Sequence, residues 1–114
     1  MMGLDAWLDA KYKKTKRSKK ITLEKVGYWR QNWVLNAYMG KLLKFNIDDN
    51  GSSHVVSVEQ LDKLITYCEG QASRRKDSRW ADEDCKWGDA IDIFLRAKNL
   101  ITTKNATIVY WFVY

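Results

Sequence analysis

The chain has 114 residues and a mass of 13.4 kDa, which is enough for one hydrophobic core and too little for two. Hydrophobic residues make up 46% of it and charged residues 30%, as is typical of a folded globular domain and not of a disordered segment. The formal net charge is +6 at neutral pH. We therefore expect a single domain over residues 1–114, and we use the location of its charge as the main guide to function.

Cysteine and histidine are scarce, and this excludes several kinds of site. Cys68, Cys85 and His54 are the only residues of their types, whereas a structural zinc ion needs four nitrogen or sulfur ligands. Two cysteines are also too few for a disulfide scaffold, and free thiols are typical of a reducing compartment. We expect His54 to lie in a surface loop, because it follows a Gly/Ser-rich stretch. The sequence therefore predicts no catalytic residue, no metal and no cofactor.

No segment indicates insertion into a membrane or export. The apolar stretch at residues 108–114 is far shorter than the roughly 20 residues that span a bilayer. The first residues lack the basic-then-apolar order of a signal peptide. We therefore expect a soluble, cytoplasmic protein that has no membrane partner.

The chain begins with two segments of alternating character. Apolar and polar residues alternate over Gly3–Lys14 and again over Ile21–Tyr28, which predicts two strands that each have one covered face. Trp7 is the one large apolar residue on the polar face of the first strand, beside Asp5 and Asp9. The segment between the strands is short and rich in lysine, so we expect an antiparallel hairpin with a basic tip.

The middle of the chain has apolar residues at helical spacing. The spacing predicts a first helix over Trp29–Phe45, followed by a turn over Asp48–Ser53. Ser57 and Gln60 form a capping box, which predicts the start of a second helix. The apolar stripe of this second helix runs to about Glu69 or beyond.

The remainder of the chain predicts one more helix and one more strand. Acidic residues from Asp82 suit the first turn of a third helix, which ends near Asn99. The segment Thr107–Tyr114 is apolar on both faces, so we expect a strand in the centre of the sheet or beneath helices. Together these elements predict an α+β fold, in which two or three helices cover a small antiparallel sheet made of the N-terminal hairpin and the C-terminal strand.

The positive charge is concentrated in the predicted hairpin. Residues 11–20 carry seven basic and no acidic side chains, whereas the rest of the chain is close to neutral. A second, smaller basic cluster follows the second helix. Both clusters are candidate partner-binding residues: Lys11, Lys13, Lys14, Lys16, Arg17, Lys19, Lys20, Arg74, Arg75, Lys76 and Arg79.

Three explanations of the basic tip stay open. It can contact the phosphates of a nucleic acid, and such contact is salt-sensitive and independent of base sequence. It can instead bind an acidic face of a protein, because complementary charge steers association. It can also be a solvated tip that keeps the hairpin soluble and prevents edge-to-edge pairing of strands.

A candidate ligand pocket lies at the predicted junction of strand and helix. An arginine in the first turn of a helix is unfavourable to the helix dipole, so we expect Arg30 to bind Asp5, Asp9 or an anion. Tyr28 and Trp29 are adjacent to Arg30 in the sequence. With Asp5 they complete a candidate pocket for a nucleotide.

Two short blocks of the sequence resemble a known family. Met2-Gly3-Leu4-Asp5 at the start, and Val26-Gly27-Tyr28-Trp29-Arg30 further on, are similar to blocks in a family of small uncharacterised phage and prophage proteins. The chain departs from that family at Ala6-Trp7 and at Asn36. The resemblance implies a non-enzymatic accessory protein of the bacterial cytoplasm. Such a protein binds a host factor, for example a nucleic-acid-handling defence complex, and inhibits host defence as anti-CRISPR proteins do.

Two alternatives stand beside this expectation. One is a nucleic-acid-binding protein that acts through the basic hairpin. The other is a nucleotide-binding or nucleotide-sequestering protein that acts through the candidate pocket. The sequence leaves the oligomeric state open.

Overall fold

The computed structural model describes residues 3–30, 32–46, 48, 51–75 and 87–114. The strands of these residues form one antiparallel sheet in the order β2-β1-β4-β3. The predicted α+β fold is therefore confirmed. The central position of the C-terminal strand is also confirmed, because β4 pairs with β1 on one side and with β3 on the other. In chain order the elements are β1 (Asp5–Tyr12), β2 (Thr22–Arg30), α1 (Trp33–Leu43), β3 (Ser53–Val56), α2 (Val58–Arg75), α3 (Trp87–Lys104) and β4 (Thr107–Val113).

The inner face of the sheet carries the hydrophobic core. Ala6, Leu8 and Ala10 of β1 are buried there, as the alternation of the sequence predicts, next to Tyr110 and Phe112 of β4. The helices close the core from the other side. Their buried contributions include Leu35, Met39, Leu61, Leu64, Cys68, Phe94 and Ala97.

The opposite side of the sheet, which we call the outer face, has a different composition. Because side chains alternate along each strand, the register assigns every second residue to it. None of these side chains belongs to the packed core cluster of the described residues, although Val109 is buried, with 6% of its surface exposed. The outer face consists of Asp5, Trp7, Asp9, Lys11, Leu23, Lys25, Tyr28, Arg30, Ser53, Val55, Thr107, Val109, Trp111 and Val113.

Helix α3 lies close to β2 because of a glycine and a bulge. The register of β1 and β2 shifts between Leu8 and Asp9. A Cβ atom on Gly27 would overlap the side chain of Ile93 on α3, so only glycine fits at this position. Nearby, Arg96 of α3 donates a hydrogen bond of 3.3 Å to the backbone carbonyl of Val26. The bulge region therefore anchors α3 on the inner face.

The predicted start of the first helix at Trp29 is wrong. Strand β2 continues to Arg30, which lies opposite Asp5 of β1, and the helix begins only at Trp33. Backbone pairing with β1 keeps Trp29 and Arg30 in strand β2, although the spacing of apolar residues around them is also compatible with a helix. The side chain of Asn32 caps the helix, since its Oδ1 accepts a 3.0 Å hydrogen bond from the backbone N–H of Leu35.

A short strand replaces the loop expected around His54. Residues Ser53–Val56 form β3 and pair with β4, so the prediction of a surface loop is wrong there. The His54 side chain is half-buried, and its ring stacks 4.7 Å from that of Phe45. The strand forms because the edge of β4 that does not face β1 is available for pairing. A segment of four residues is too short for its own sequence pattern to predict this pairing.

The helix boundaries agree only in part with the predictions. The capping box is confirmed: Gln60 Oε1 accepts from the Ser57 N–H at 2.9 Å, and Ser57 Oγ accepts from the Gln60 N–H at 3.2 Å. Helix α3 ends at Lys104, later than the predicted Asn99, and the predicted start at Asp82 lies outside the described residues.

Within the described ranges, no helix has the length and apolar character needed to cross a membrane.

Candidate functional site

The loop between β1 and β2, residues 13–21, is the basic tip predicted from the sequence. All seven of the basic side chains in residues 11–20 are exposed. The turn is compact, because the backbone N–H of Ser18 donates to the Thr15 carbonyl at 3.1 Å and its hydroxyl donates to the Lys20 carbonyl at 3.1 Å. The ion pair formed within the described ranges joins Lys98 to Asp62 and involves no residue of the tip. The backbone of the tip is therefore fixed by hydrogen bonds, and its basic side chains form no ion pair with the described acidic residues.

A cleft of about 700 Å³ opens at the root of this tip. It lies between the end of β1, the tip itself and the turn from α3 to β4. None of its lining residues is acidic. Those residues are Lys11, Tyr12, Lys13, Lys14, Thr15, Lys16, Ile21, Thr102, Thr103, Lys104, Asn105 and Thr107.

Lysine ammonium groups are the main free donors of this cleft. The hydroxyls of Thr102 and Thr103 already donate to carbonyls one turn earlier in α3, at 3.1 and 2.8 Å. Lys104 belongs to the last turn of α3, where its charge offsets the negative end of the helix dipole. The lining of the cleft is therefore suited to attracting an anion by charge more than by directed hydrogen bonds.

The second basic cluster is mostly beyond what the structure describes. Arg74 and Arg75 are the last two residues of α2, while Lys76 and Arg79 lie outside the described residues. The candidate site therefore rests on the basic tip.

The structure keeps three of the four residues of the candidate ligand pocket together and separates Trp29 from them. Asp5, Tyr28 and Arg30 lie on the outer face, and the Tyr28 hydroxyl donates a hydrogen bond to Asp5 Oδ1. Trp29 points to the inner face, where it is only 6% exposed and packs 5.3 Å from the ring of Phe94. The ion pairs of the described residues do not include Arg30, so its exposed guanidinium is available to an anion.

An aromatic row crosses the outer face, and we use this name for Tyr28, Trp7 and Trp111. The rings of Trp7 and Trp111 are stacked, with centroids 4.1 Å apart and planes inclined by 15°. Tyr28 follows on the other side of Trp7, with 5.4 Å between ring centroids, and is 50% exposed. These three residues lie at one level of three neighbouring strands.

The sequence singles out two members of this row, but for separate reasons. Trp7 breaks the alternation of β1, and Tyr28 belongs to the candidate ligand pocket. Trp111 lies in an apolar segment where nothing distinguishes it from core residues. Only the register of β1 with β2 and β4 brings the three rings together.

Two carboxylates of β1 hold the row in place. Trp111 donates its indole N–H to Asp9 Oδ2 at 2.8 Å, and Tyr28 donates to Asp5. The hydrogen bond to Asp5 is the main reason that the pKa of Tyr28 is raised above its ordinary value, and burial adds to it. Tyr28 is therefore a neutral phenol at physiological pH. A shallow cleft of about 530 Å³ opens beside it, between Tyr28, Trp7 and Lys25.

Two further reactive side chains of the described residues, Cys68 and His54, are wholly or partly buried. Cys68 is buried in α2, and burial raises the pKa of its thiol to about 12, so it is protonated at neutral pH. His54 is half-buried against Phe45. In the part of the chain that the structure describes, no three metal-ligating side chains come together.

Comparisons with protein-family models, with curated proteins and with solved structures found no match to this chain. The function is therefore inferred from the residues of the site. The resemblance of the two sequence blocks to phage proteins stays a prediction.

Proposed function

We propose that the protein acts by binding and that its basic tip contacts the phosphate backbone of a nucleic acid. The observation that carries the proposal is the cleft at the root of the tip, which is lined by five lysines and by no acidic residue. A lysine-lined cleft attracts phosphates electrostatically, and each neutralised phosphate releases counterions.

The position of the charges argues against a role in protecting the sheet edge. Strand β2 is an edge strand of the sheet, and charges that block pairing are expected along such a strand. Six of the seven basic residues instead lie beyond the paired strands, in the loop between β1 and β2. The charges therefore extend away from the edge that they would have to protect.

The kind of charge favours phosphates over an acidic protein surface. Residues 11–20 contain six lysines and one arginine. Lysine is depleted at protein–protein interfaces, which are enriched in arginine, whereas its ammonium group is a point charge that binds phosphates. Binding through the tip is thus expected to be largely independent of base sequence.

The proposal keeps the biological context that the sequence resemblance implies. In a phage or prophage, a protein that occupies nucleic acid competes with host nucleases for it. An inhibitor of host defence that binds nucleic acid is therefore the combined proposal. The direct capture of a host protein, the expectation drawn from the resemblance, stays a prediction.

Fluorescence anisotropy with a labelled oligonucleotide tests the proposal. We expect binding at about 50 mM salt that weakens steeply by about 200 mM. The double variant Lys13→Gln with Lys16→Gln should bind several-fold more weakly. The matched control replaces Lys41 and Lys63, two exposed lysines of α1 and α2, and should bind as the parent does. Absence of binding at low salt, or equal loss in both double variants, would overturn the proposal.

A further inference from the structure

We propose that the aromatic row is a stacking platform for the bases of single-stranded nucleic acid. This inference rests on the proposed function and names its substrate class: a single strand, with its phosphates on the basic tip and its bases on the two ends of the row, Tyr28 and Trp111, which Trp7 supports from between them. Aromatic side chains on the exposed face of a sheet bind unstacked bases in several unrelated folds.

The hydrophobic core does not need these rings. The core of the described residues contains neither Trp7 nor Trp111, nor do these two belong to the partly buried residues packed against it. Apolar neighbours extend the row, since Val55 is 64% exposed and Val113 is 40% exposed. Exposed apolar side chains that lie together on an otherwise polar face are typical of a binding surface.

The rings are also pre-organised. The indole of Trp111 is held by Asp9, the phenol of Tyr28 is held by Asp5, and Trp7 is stacked between them. A ring that is already fixed loses little conformational entropy when a base stacks on it, so more of the stacking energy remains as affinity.

The outer face also carries cations that complement phosphates. Lys25 and Arg30 are exposed on the strand that carries Tyr28. Lys11 lies on the same face of β1, four residues from Trp7, which is about 13 Å along a strand. The two carboxylates of this face, Asp5 and Asp9, are hydrogen-bonded to rings of the row. The three cations outnumber these two carboxylates, as the phosphates of a bound strand require.

The rings favour a single strand over a duplex. Bases in a duplex are stacked on one another and cannot reach rings on a protein surface, whereas bases of a single strand can be splayed onto them. Trp7 lies between the other two rings, so the row offers bases the rings at its ends, Tyr28 and Trp111. The shallow cleft next to Tyr28 offers space for a base. Single strands should therefore bind more tightly than duplexes.

Anisotropy with three probes tests the inference. The probes are a labelled oligothymidine strand, a labelled oligoadenosine strand and a labelled duplex of equal length. The double variant Trp7→Leu with Trp111→Leu should bind both strands about 5- to 150-fold more weakly, the loss expected for one stacked base. Its binding to the duplex, and the salt dependence that the tip supplies, should be unchanged. The matched control is Trp33→Leu, because Trp33 is partly exposed on α1 and away from the outer face.

The result separates this inference from the proposed function. If the tip variant loses binding while the Trp7 and Trp111 variant binds strands as the parent does, the stacking platform is wrong and the proposed function stands. The same conclusion follows if light scattering shows a dimer that this variant disrupts. If no probe binds at low salt, the proposed function itself is wrong.

A measurement on the unaltered protein guards against a variant that fails to fold. Photocrosslinking with an oligonucleotide that carries iodouridine, followed by peptide mass spectrometry, should place crosslinks on Trp7, Tyr28 or Trp111. Crosslinks confined to the basic tip would overturn the stacking platform.

Discussion

Trp111 donates its indole N–H to Asp9 across two paired strands, with 2.8 Å between nitrogen and oxygen. This bond fixes one ring of the aromatic row against a carboxylate of the central strand β1. The second oxygen of the same carboxylate, Oδ1, is buried and accepts no hydrogen bond from the described residues. Asp9 thus orients Trp111 at a cost in desolvation.

Replacing Asp9 by alanine should release Trp111. We expect the free energy of unfolding to fall by about 1–2 kcal/mol, which is at the low end for the loss of a hydrogen bond to a charged group. The loss is small because the substitution also removes the buried Oδ1, which has no hydrogen bond to lose. The indole N–H signal of Trp111 should also exchange with solvent faster in NMR experiments. Asp62→Ala is the control: Asp62 forms an exposed ion pair with Lys98, and its removal should cost at most about 1 kcal/mol. Unchanged exchange at Trp111 would contradict the assigned role of Asp9.

The hydrogen bond from Tyr28 to Asp5 predicts a pH dependence. The neutral phenol is the donor, and the pKa of Tyr28 is raised, chiefly by this bond. The stabilisation is therefore fully present below the ordinary tyrosine pKa of about 10 and is lost as the pH rises through the higher pKa of the folded state. The difference in tyrosinate absorbance between the parent and Tyr28→Phe isolates this titration.

Asp5→Asn supplies the comparison for Tyr28. It removes the negative charge that disfavours tyrosinate, so the pKa of Tyr28 should move back towards the ordinary value. A Tyr28 that titrates at or below that value in the parent would contradict the assigned hydrogen bond.

The place of Gly27 predicts opposite effects for two glycine substitutions. Gly27→Ala introduces a Cβ that overlaps Ile93 and should destabilise the fold by about 1–3 kcal/mol, the range typical of overpacking. Gly70→Ala is the matched control in α2, where a Cβ meets nothing within 4 Å. It should stabilise the helix by about 0.5–1 kcal/mol.

A double-variant cycle localises the effect of Gly27→Ala. Ile93→Ala removes the overlapping atoms, so the cost of Gly27→Ala should be smaller in that background. Chemical denaturation of the four proteins gives the coupling energy. Additive effects would show that α3 does not lie against Gly27.

Burial of Cys68 predicts a thiol that does not react in the native state. With Cys85 replaced by serine, Cys68 should react with a disulfide reagent far more slowly than a free thiol does, because burial raises its pKa to about 12 and blocks access. Urea that unfolds the protein should restore rapid reaction. Rapid labelling without urea would contradict the burial of this residue.

The sequence predicts those parts of the fold that local patterns specify. Alternation located β1, the capping box at Ser57 and Gln60 located the start of α2, and a doubly apolar segment predicted the central strand β4. Each of these signals depends on residues close together in the chain, so each can be recognised without knowledge of the partners.

Features that depend on distant pairing were not predicted. Strand β3 exists because β4 has a second edge, and β2 continues to Arg30 because β1 pairs with it there. The aromatic row needs the register of three strands, since Trp7 and Trp111 are 104 positions apart in the sequence. The basic tip was predictable because its seven basic residues all lie within residues 11–20 of the sequence.

The salt dependence of binding tests the central claim most directly. For an oligonucleotide strand, the logarithm of the association constant should fall linearly with the logarithm of salt concentration, by about 0.7 for each phosphate contacted. Lys13→Gln with Lys16→Gln should reduce that slope by about 1.4 if both lysines contact phosphates. A slope that stays the same in this variant, or a parent protein that binds no strand at low salt, would contradict the account.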